Sequence, residues 1–586
     1  MLFEVSEELP IIRKALEYLT VRAKLFNCVF LALIKRCNGL ILLTFKLEHR
    51  ESIAPRRSIP DQEKTLACLA SLEPTDQEIF LTEKLSCSKQ ACRWFSKTSE
   101  YASWYDGTKS DLLLVTARAG CGKTTLAAHV SQWVVDSSYV PSHANVPGRA
   151  DVQSDIKTGA VSLSFFFSKS NWETEGTATS ALRTIVSQLV HQISGLMPIL
   201  LRRYNFLSAR GSFSWTWDTL WSTFSEMIAQ RLHHMRLYVI LDGIDECDSD
   251  SRQKLLTRIK TLVENRKAVE SSESGRAVLK FLITSRPDGC VIDNLFHFPG
   301  FEIKNSDTAM DMQILIQTRI QSYAQRRHLG KGISNRISQF LEDNAHGMFL
   351  WVVLIIEELG NRGKALTDET INSKLSSIPL TLGNTYEAIL NNTEPGRRAD
   401  LWRILRWLLF GRRGLTLGEL ETALWLEMPH SRWLDFHGEV MVLCGSLLRF
   451  DGQRGELNLI HQTARDFLES FVEGARPDEV GGVGLDIVAA NAHLAETCVE
   501  YLLQDGPFCE LEKVLRSKNA FRDYAWIIAA FLRDHPFICY AIENWSFHIR
   551  AVEEPQGPLV EKITQLLSSQ KRRDGIMRLT YVSILE

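Results

Sequence analysis

The sequence predicts an α/β core, a parallel sheet covered by helices, followed by mostly α-helical domains, and three observations predict it. Four apolar runs, at 112–116, 161–167, 237–242 and 279–285, are separated by turn signals and helix-length segments. Strands that are apolar at nearly every position are buried on both faces, which is the condition of a parallel sheet between helix layers. A glycine-rich junction follows the first run and an acidic cluster follows the third, both at strand tips. Beyond about residue 300 apolar residues return at helical spacing, in Gly347–Leu359 and Leu401–Phe410, while strand signals thin out.

At 586 residues the chain has room for roughly four domains. Lys and Arg number 67 against 70 Asp and Glu, a net charge of −3, so no global excess of charge draws nucleic acid or anionic lipid. Hydrophobic residues at 45% and charged residues at 23% are ordinary for a folded globular chain and exclude collagen-like, coiled-coil and wholly disordered classes. The 12 cysteines are scattered, the nearest pair being Cys87 and Cys92, with no zinc-ligand spacing. That usage fits a reducing, cytoplasmic setting. The segment Leu25–Phe45 is apolar, but Lys35, Arg36, Asn38 and Gly39 divide it into stretches about half the ~20 residues a bilayer requires. A buried helix pair is the expectation there, no membrane partner is expected, and no signal-peptide order of segments is present.

In chain order, residues 1–60 read as a short helical segment ending in the basic, proline-containing linker His49–Gln62. Residues 61–105 read as a helical lead-in, with Leu66, Leu69, Ala70, Leu72, Trp94, Phe95 and Trp104 spaced for an apolar face. The α/β core spans 106–300. Trp351, Trp402 and Trp407 are expected to be core residues. No period of 33, 34 or 42 residues marks a repeat array.

The first apolar run passes directly into a helix through Ala117, Gly120, Cys121, Gly122, Lys123, Thr124 and Thr125. Glycines let backbone amides turn inward around an anion, and the following helix aims its positive end at the same point. Lys123 has the reach for β- and γ-phosphates, and Thr124 the hydroxyl for Mg²⁺. Ala117 stands where the usual G-x-x-x-x-G-K-[ST] pattern has glycine, and it lacks glycine's backbone freedom. Cys121 reads as a small spacer of this loop. The plain alternative is a glycine-rich turn with an adventitious lysine.

The third run ends in Asp242, followed by Asp245 and Glu246. A carboxylate at such a strand end holds the Mg²⁺ of a P-loop NTPase, and a further acid polarises the attacking water. Asp242 is assigned to the metal, and Glu246, with Asp245, to the general base; a solvated acidic loop is the alternative. Neither the glycine nor the terminal glutamate of a calcium-binding EF-hand is in register. The fourth run ends in Thr284-Ser285-Arg286-Pro287, where Arg286 is the candidate γ-phosphate sensor, or else a surface arginine fixed by Pro287.

These residues resemble the NACHT family of signalling NTPases, in the STAND class, and in particular the large fungal NACHT proteins. The resemblance rests on AGCGKTTL, ILDGIDE and LITSRPD, and continues through AHGMFLW (345–351), residues 404–424 and residues 443–468. It implies a nucleotide-binding domain at 106–300, a helical domain at 301–398, a winged-helix domain at 399–475 and a helical segment at 476–586. It implies ATP or GTP with Mg²⁺ as the ligand, slow hydrolysis, and assembly with like or unlike signalling chains. In similar proteins a winged-helix histidine reaches the β-phosphate of bound diphosphate and locks a closed form, and the matching residue is His461; taken without the family it is a core or capping histidine. Triphosphate then favours an open, oligomerising form. Fungal relatives tie this circuitry to non-self recognition and programmed cell death. Both ends look short beside such proteins, which leaves open a truncated product, a regulator of heterotypic assembly or a non-functional remnant, and with Ala117 suggests a pseudo-NTPase scaffold as an alternative. A constitutive NTPase and a DNA-binding winged helix are further alternatives, the latter disfavoured by the lack of a basic stripe.

Overall fold

The computed structural model describes residues 59–86, 91–138, 160–169, 172–209, 214–231, 235–269, 277–361, 368–428, 433–450, 455–474, 480–516, 530–552, 557–570, 572–573 and 576. The expected helix pair at Leu25–Phe45 and most of the linker lie outside them. The chain forms two compact units, residues 57–388 and a second unit that includes residues 389–586.

The first unit begins with the lead-in helices α1 (Ile59–Ala70), α2 (Glu78–Ser86) and α3 (Ser99–Asp106). Leu72, Phe95 and Trp104 are buried as expected, but Leu66 is 67% exposed, while α1 buries Cys68 completely. Strand β1 (Asp111–Thr116) leads into α4 (Lys123–Ser138), followed by β2 (Ala160–Phe166), α5 (Ala178–Gln192), α6 (Met197–Ser208) and α7 (Trp217–Arg231). Then come β3 (Arg236–Asp242), α8 (Ser249–Val269), β4 (Val278–Ser285), α9 (Gly289–Leu295) and the short β5 (Gly300–Glu302), which has too few residues to register as an apolar run.

The strands form one five-stranded sheet in the order β2-β3-β4-β1-β5, and every pairing is parallel. This is the α/β core that the four apolar runs require. Leu112, Leu163, Val239 and Phe281 face a layer that includes α5, α7 and α8. Leu113, Phe166, Tyr238 and Leu282, at alternate positions of the same strands, face the other layer, which contains α3 and α4. With an apolar partner on both faces, strand periodicity disappears from the sequence. All five strands run the same way, so the tips of β1, β3 and β4 lie at one edge, where ligands of open α/β sheets bind.

The same unit continues through α10 (Asn305–Arg327), α11 (Lys331–Asn344), α12 (Phe349–Asn361) and α13 (Asp368–Ser376), and the chain passes into the second unit within α14 (Leu382–Asn391). Ile316, Ile337, Leu341 and Trp351 centre the helical core, and the Trp351 indole donates to the Pro379 carbonyl at 2.9 Å.

The second unit contains α15 (Arg398–Phe410), β6 (Leu415–Thr416), α16 (Leu417–Glu427), α17 (Phe436–Cys444), β7 (Leu448–Phe450), β8 (Glu456–Leu459) and α18 (Gln462–Gly474). The strands form an antiparallel sheet in the order β6-β8-β7, giving the winged-helix arrangement. Thr416 and Glu419 form a capping box that starts α16. Trp402 and Trp407 are buried, and Arg406 pairs with Glu427 at 2.7 Å in the interior. Helices α19 (Ile487–Leu503), α20 (Asp505–Arg516), α21 (Phe537–Arg550) and α22 (Pro558–Ser568) complete the mostly helical remainder. Among the described residues no single helix is long and apolar enough to cross a membrane.

Candidate functional site

At the tip of β1 the chain turns through residues 117–122 and enters α4. Gly120 and Gly122 have φ of 76° and 86°, a left-handed backbone that only glycine adopts without strain. Ala117 is not among the described residues of positive φ, so position 117 makes no demand for glycine and the alanine there imposes no backbone cost. Ala117 is 1% exposed, and its N–H donates to the Ser285 carbonyl at 3.2 Å, which ties the loop to β4. Lys123 Nζ donates to the carbonyls of Ala117 at 2.9 Å and Arg118 at 3.1 Å. Burial pushes the lysine's pKa down, opposed by Asp245 and Asp242. Thr124 and Thr125 occupy the first turn of α4, both half-buried. Cys121 is buried, and burial pushes its thiol up against the pull of Lys123 and Arg118, so the residue serves as a spacer rather than a thiolate.

The neighbouring tips bring the acids to the same edge. Asp242, 3% exposed, accepts from the Thr284 hydroxyl at 2.5 Å. Burial raises its pKa, opposed by Thr284, Thr124 and Lys123. Thr284 also accepts from the Gly243 N–H at 2.9 Å, so one hydroxyl fixes both the carboxylate and the start of the next turn. Gly243, with φ of 67°, reverses the chain into the short turn Ile244–Glu246. Asp245 accepts from the Arg286 N–H at 3.0 Å and pairs with its Nε at 3.2 Å, so the candidate sensor and one of the two candidate bases hold each other. Glu246 is half-buried; burial first, then Asp245, pushes its pKa up to about 8, while Arg286 and the Lys169 N–H oppose that.

The structure therefore gathers Ala117, Gly120, Cys121, Gly122, Lys123, Thr124, Thr125, Asp242, Asp245, Glu246 and Arg286 at the tips of β1, β3 and β4. Thr284 belongs with them although the sequence reading gave it no role; its position one strand away from Asp242 was the available signal. Leu350 also lies here: its N–H donates to the Gly120 carbonyl at 3.4 Å, and a Cβ on Gly120 would stand 3.2 Å from its side chain. A Cβ on Gly122 would meet the Phe349 ring at 3.6 Å. The start of α12 thus roofs the glycine loop.

His461 belongs to the second unit. Its Nδ1 accepts from the Thr463 N–H at 3.1 Å and lies 2.9 Å from the Thr463 hydroxyl, at the start of α18. The ring therefore caps the helix, and in the neutral form its proton sits on Nε2.

The chemistry of the donor set fits a magnesium nucleotide. Two left-handed glycines, a lysine and a helix start make an anion cradle, with a hydroxyl and a buried carboxylate beside it. Among the described residues no group of three or more His, Cys, Asp or Glu could hold a metal ion alone. Magnesium held by one carboxylate and one hydroxyl takes its remaining ligands from phosphate oxygens and water, which is its usual mode.

Two family models match. Residues 90–286 match nephrocystin 3, N-terminal, and residues 387–475 match the winged helix domain of GPI inositol-deacylase. The chain is 26% identical over 413 residues to vegetative incompatibility protein HET-E-1 of Podospora anserina, covering 68% of this chain and 28% of that protein. It is 25% identical over 220 residues to azaphilone pigments biosynthesis cluster protein L of Monascus ruber, covering 36% and 42%. The chain thus spans less than half the length of either relative. A signal transduction ATPase with numerous domains (STAND) carrying a tetratricopeptide repeat sensor, from Pyrococcus horikoshii, aligns with a TM-score of 0.30 at 10% identity, covering 82% of this chain and 66% of that one. The chain resembles the fungal NACHT-domain NTPases, as its motifs indicate.

Proposed function

We propose that the chain is a nucleotide-dependent signalling switch of the STAND kind, binding ATP or GTP with Mg²⁺ through residues 117–125 and Asp242. The observation that carries this reading is that the left-handed glycine loop and the metal-side acid meet on one strand tip: the Ala117 N–H donates to the Ser285 carbonyl, and Asp242 accepts from the adjacent Thr284 hydroxyl. It joins the two motifs into one magnesium-phosphate site. Mg²⁺ and triphosphate, when bound, supply the phosphoanhydride and the charge that the site neutralises.

The protein residues divide the work. Lys123 leaves the carbonyls of Ala117 and Arg118 for phosphate oxygens. Asp242, held by Thr284, faces the metal side. Glu246 takes the proton of the attacking water. Arg286 reports the γ-phosphate by leaving Asp245. His461 supplies, from Nε2, a β-phosphate contact in the diphosphate form. Shifting a two-state equilibrium from 1:99 to 99:1 takes about 5.5 kcal/mol. Two or three charge-assisted contacts at about 1.5–3 kcal/mol each are of that size.

In this reading 106–300 is the nucleotide-binding domain, 301–398 the helical domain, 399–475 the winged helix and 476–586 a helical segment, in a cytoplasmic protein. The diphosphate form is closed, and the triphosphate form assembles with like or unlike chains. The Podospora relative is named a vegetative incompatibility protein, and the resemblance to fungal NACHT proteins extends the proposal to non-self recognition and programmed cell death. Binding of labelled ATP, GTP and their diphosphates with and without Mg²⁺, with light scattering alongside, tests it. Mg²⁺-dependent binding lost in Lys123→Ala is the expected result; folded protein that binds neither nucleotide would sink the switch and leave a scaffold.

A further inference from the structure

Strand β2 lies at the edge of its sheet, and three glutamine side chains bond its outer side. Gln192 Nε2 donates to the Ser162 carbonyl at 2.8 Å. Gln188 makes both bonds to Ser164, accepting from its N–H at 2.9 Å and donating to its carbonyl at 3.0 Å. Gln77 does the same at Phe166, at 2.9 and 2.6 Å. A primary amide carries the donor and acceptor of a peptide unit, so these residues satisfy alternate positions of the edge much as an added strand would. Gln188 and Gln192 project from α5. Gln77 comes from the lead-in and is 7% exposed.

Gln77 grips the last residue of β2, where the chain leaves the sheet toward the acidic tip. One residue on, the Phe167 N–H donates to the Asp242 carbonyl at 2.9 Å. Two residues further, the Lys169 N–H faces the Glu246 carboxyl and opposes the rise in its pKa. The far side of this loop is joined to the acidic segment by the Asp248 N–H, which donates to the Gly176 carbonyl at 3.0 Å. The lead-in is sutured to the same loop beyond Gln77. The Thr75 hydroxyl donates to the Thr174 carbonyl at 2.6 Å, its N–H donates to the Thr184 hydroxyl at 3.0 Å, and Glu73 pairs with Arg183 at 2.9 Å. Residues 73–77 thus bond both the end of β2, at Phe166, and the segment around the start of α5, at Thr174, Arg183 and Thr184.

We infer that Gln77 is a positioning residue for the candidate site: its amide fixes the end of β2 and so sets the Lys169 N–H against the Glu246 carboxyl. The inference rests on the reading of Glu246 as the base. It makes the lead-in, outside the nucleotide-binding motifs, part of what governs turnover. The Lys169 N–H stabilises the ionised carboxylate, so its loss makes the base harder to deprotonate.

The test uses Gln77→Met, close in size and unable to make either bond, with Gln188→Met as the control on the same edge. In the nucleotide-free protein, Gln77→Met is expected to speed amide hydrogen exchange at Phe166–Lys169 by roughly tenfold, a change that Gln188→Met leaves small at Lys169. With Mg²⁺ and the triphosphate that binds, the rising limb of turnover against pH moves upward by about half a unit or more in Gln77→Met and stays in place in Gln188→Met. Rate lost at neutral pH returns at higher pH, which a merely loosened fold would not show. A folded Gln77→Met with unchanged exchange and an unchanged limb overturns the inference. Should Gln77→Met fail to fold, Thr75→Val carries the same two measurements with a smaller expected shift. If Glu246→Gln turns over at the wild-type rate, the base assignment falls by itself, and the exchange result still decides whether Gln77 holds the loop.

Discussion

The glycine loop and the acidic tips stand at one edge of one sheet, yet they are held by different means. The loop takes its shape from backbone conformation: Gly120 and Gly122 are left-handed and α4 starts at Lys123. The acidic side is held by side chains in pairs, Thr284 with Asp242 and Arg286 with Asp245. A loop shaped by its backbone fails when a residue cannot adopt the conformation. A tip shaped by buried charge fails when a partner is removed, because the remaining group stays desolvated. Substitutions on the two sides should therefore differ in kind as well as size.

The largest effect belongs to the loop's cation. Lys123→Ala removes the one ammonium that bonds two loop carbonyls, and nucleotide affinity should fall by about 100-fold or more, read by equilibrium binding with Mg²⁺. Thr284→Val breaks the acidic side without changing its shape or charge. It strips Asp242 and the Gly243 N–H of a shared hydroxyl, and the cost should be about 2 kcal/mol in denaturant unfolding. The comparison would blur if Thr284→Val were neutral in stability while Mg²⁺-dependent binding also stayed intact.

Much of this contrast was legible in the sequence, and the boundary of legibility follows the same line. Gly120, Gly122 and Lys123 could be read because backbone geometry and phosphate chemistry dictate residue type at fixed spacing. The four long strands could be read because burial on both faces leaves an uninterrupted apolar run. β5, with three residues, could not. Asp242, Asp245 and Glu246 were visible as acids, but their partners were not, since Thr284 and Arg286 come from a strand some forty residues on and meet them only through the β3-β4 register. The glutamine edge was hidden for the same reason: nothing local marks Gln77 as the partner of Phe166, 89 residues away. Leu66 shows the converse error, where helical spacing suggested burial and the lead-in instead turns Cys68 inward.

Smaller and more diagnostic is the pH response of Glu246, whose pKa is raised to about 8 against an ordinary value of 4.5. The folded state then holds a proton that the unfolded state has released between those values, so this group's contribution to stability falls as pH rises from about 4.5 through about 8. Glu246→Gln cannot ionise and should lose that dependence. Melting temperatures across the range should show the variant gaining on the wild type toward alkaline pH, while its nucleotide binding persists and hydrolysis stops. Parallel curves for the two proteins would mean that the carboxyl is not desolvated as the geometry indicates.

The smallest expected effect sharpens the comparison most. Ala117→Gly restores the usual loop pattern, and if the alanine impaired the loop, nucleotide affinity should rise. Position 117 lacks the left-handed backbone of Gly120 and Gly122, so glycine relieves no strain there. It removes a methyl that is 1% exposed and adds freedom to the unfolded chain, a cost of about 0.5–1 kcal/mol. Ala117→Gly should therefore be slightly less stable in denaturant and bind nucleotide within about twofold of the wild type. A gain of tenfold in affinity would show that residue 117, like Gly120 and Gly122, must move into the left-handed region when phosphate binds, and that the loop is not already shaped for its ligand.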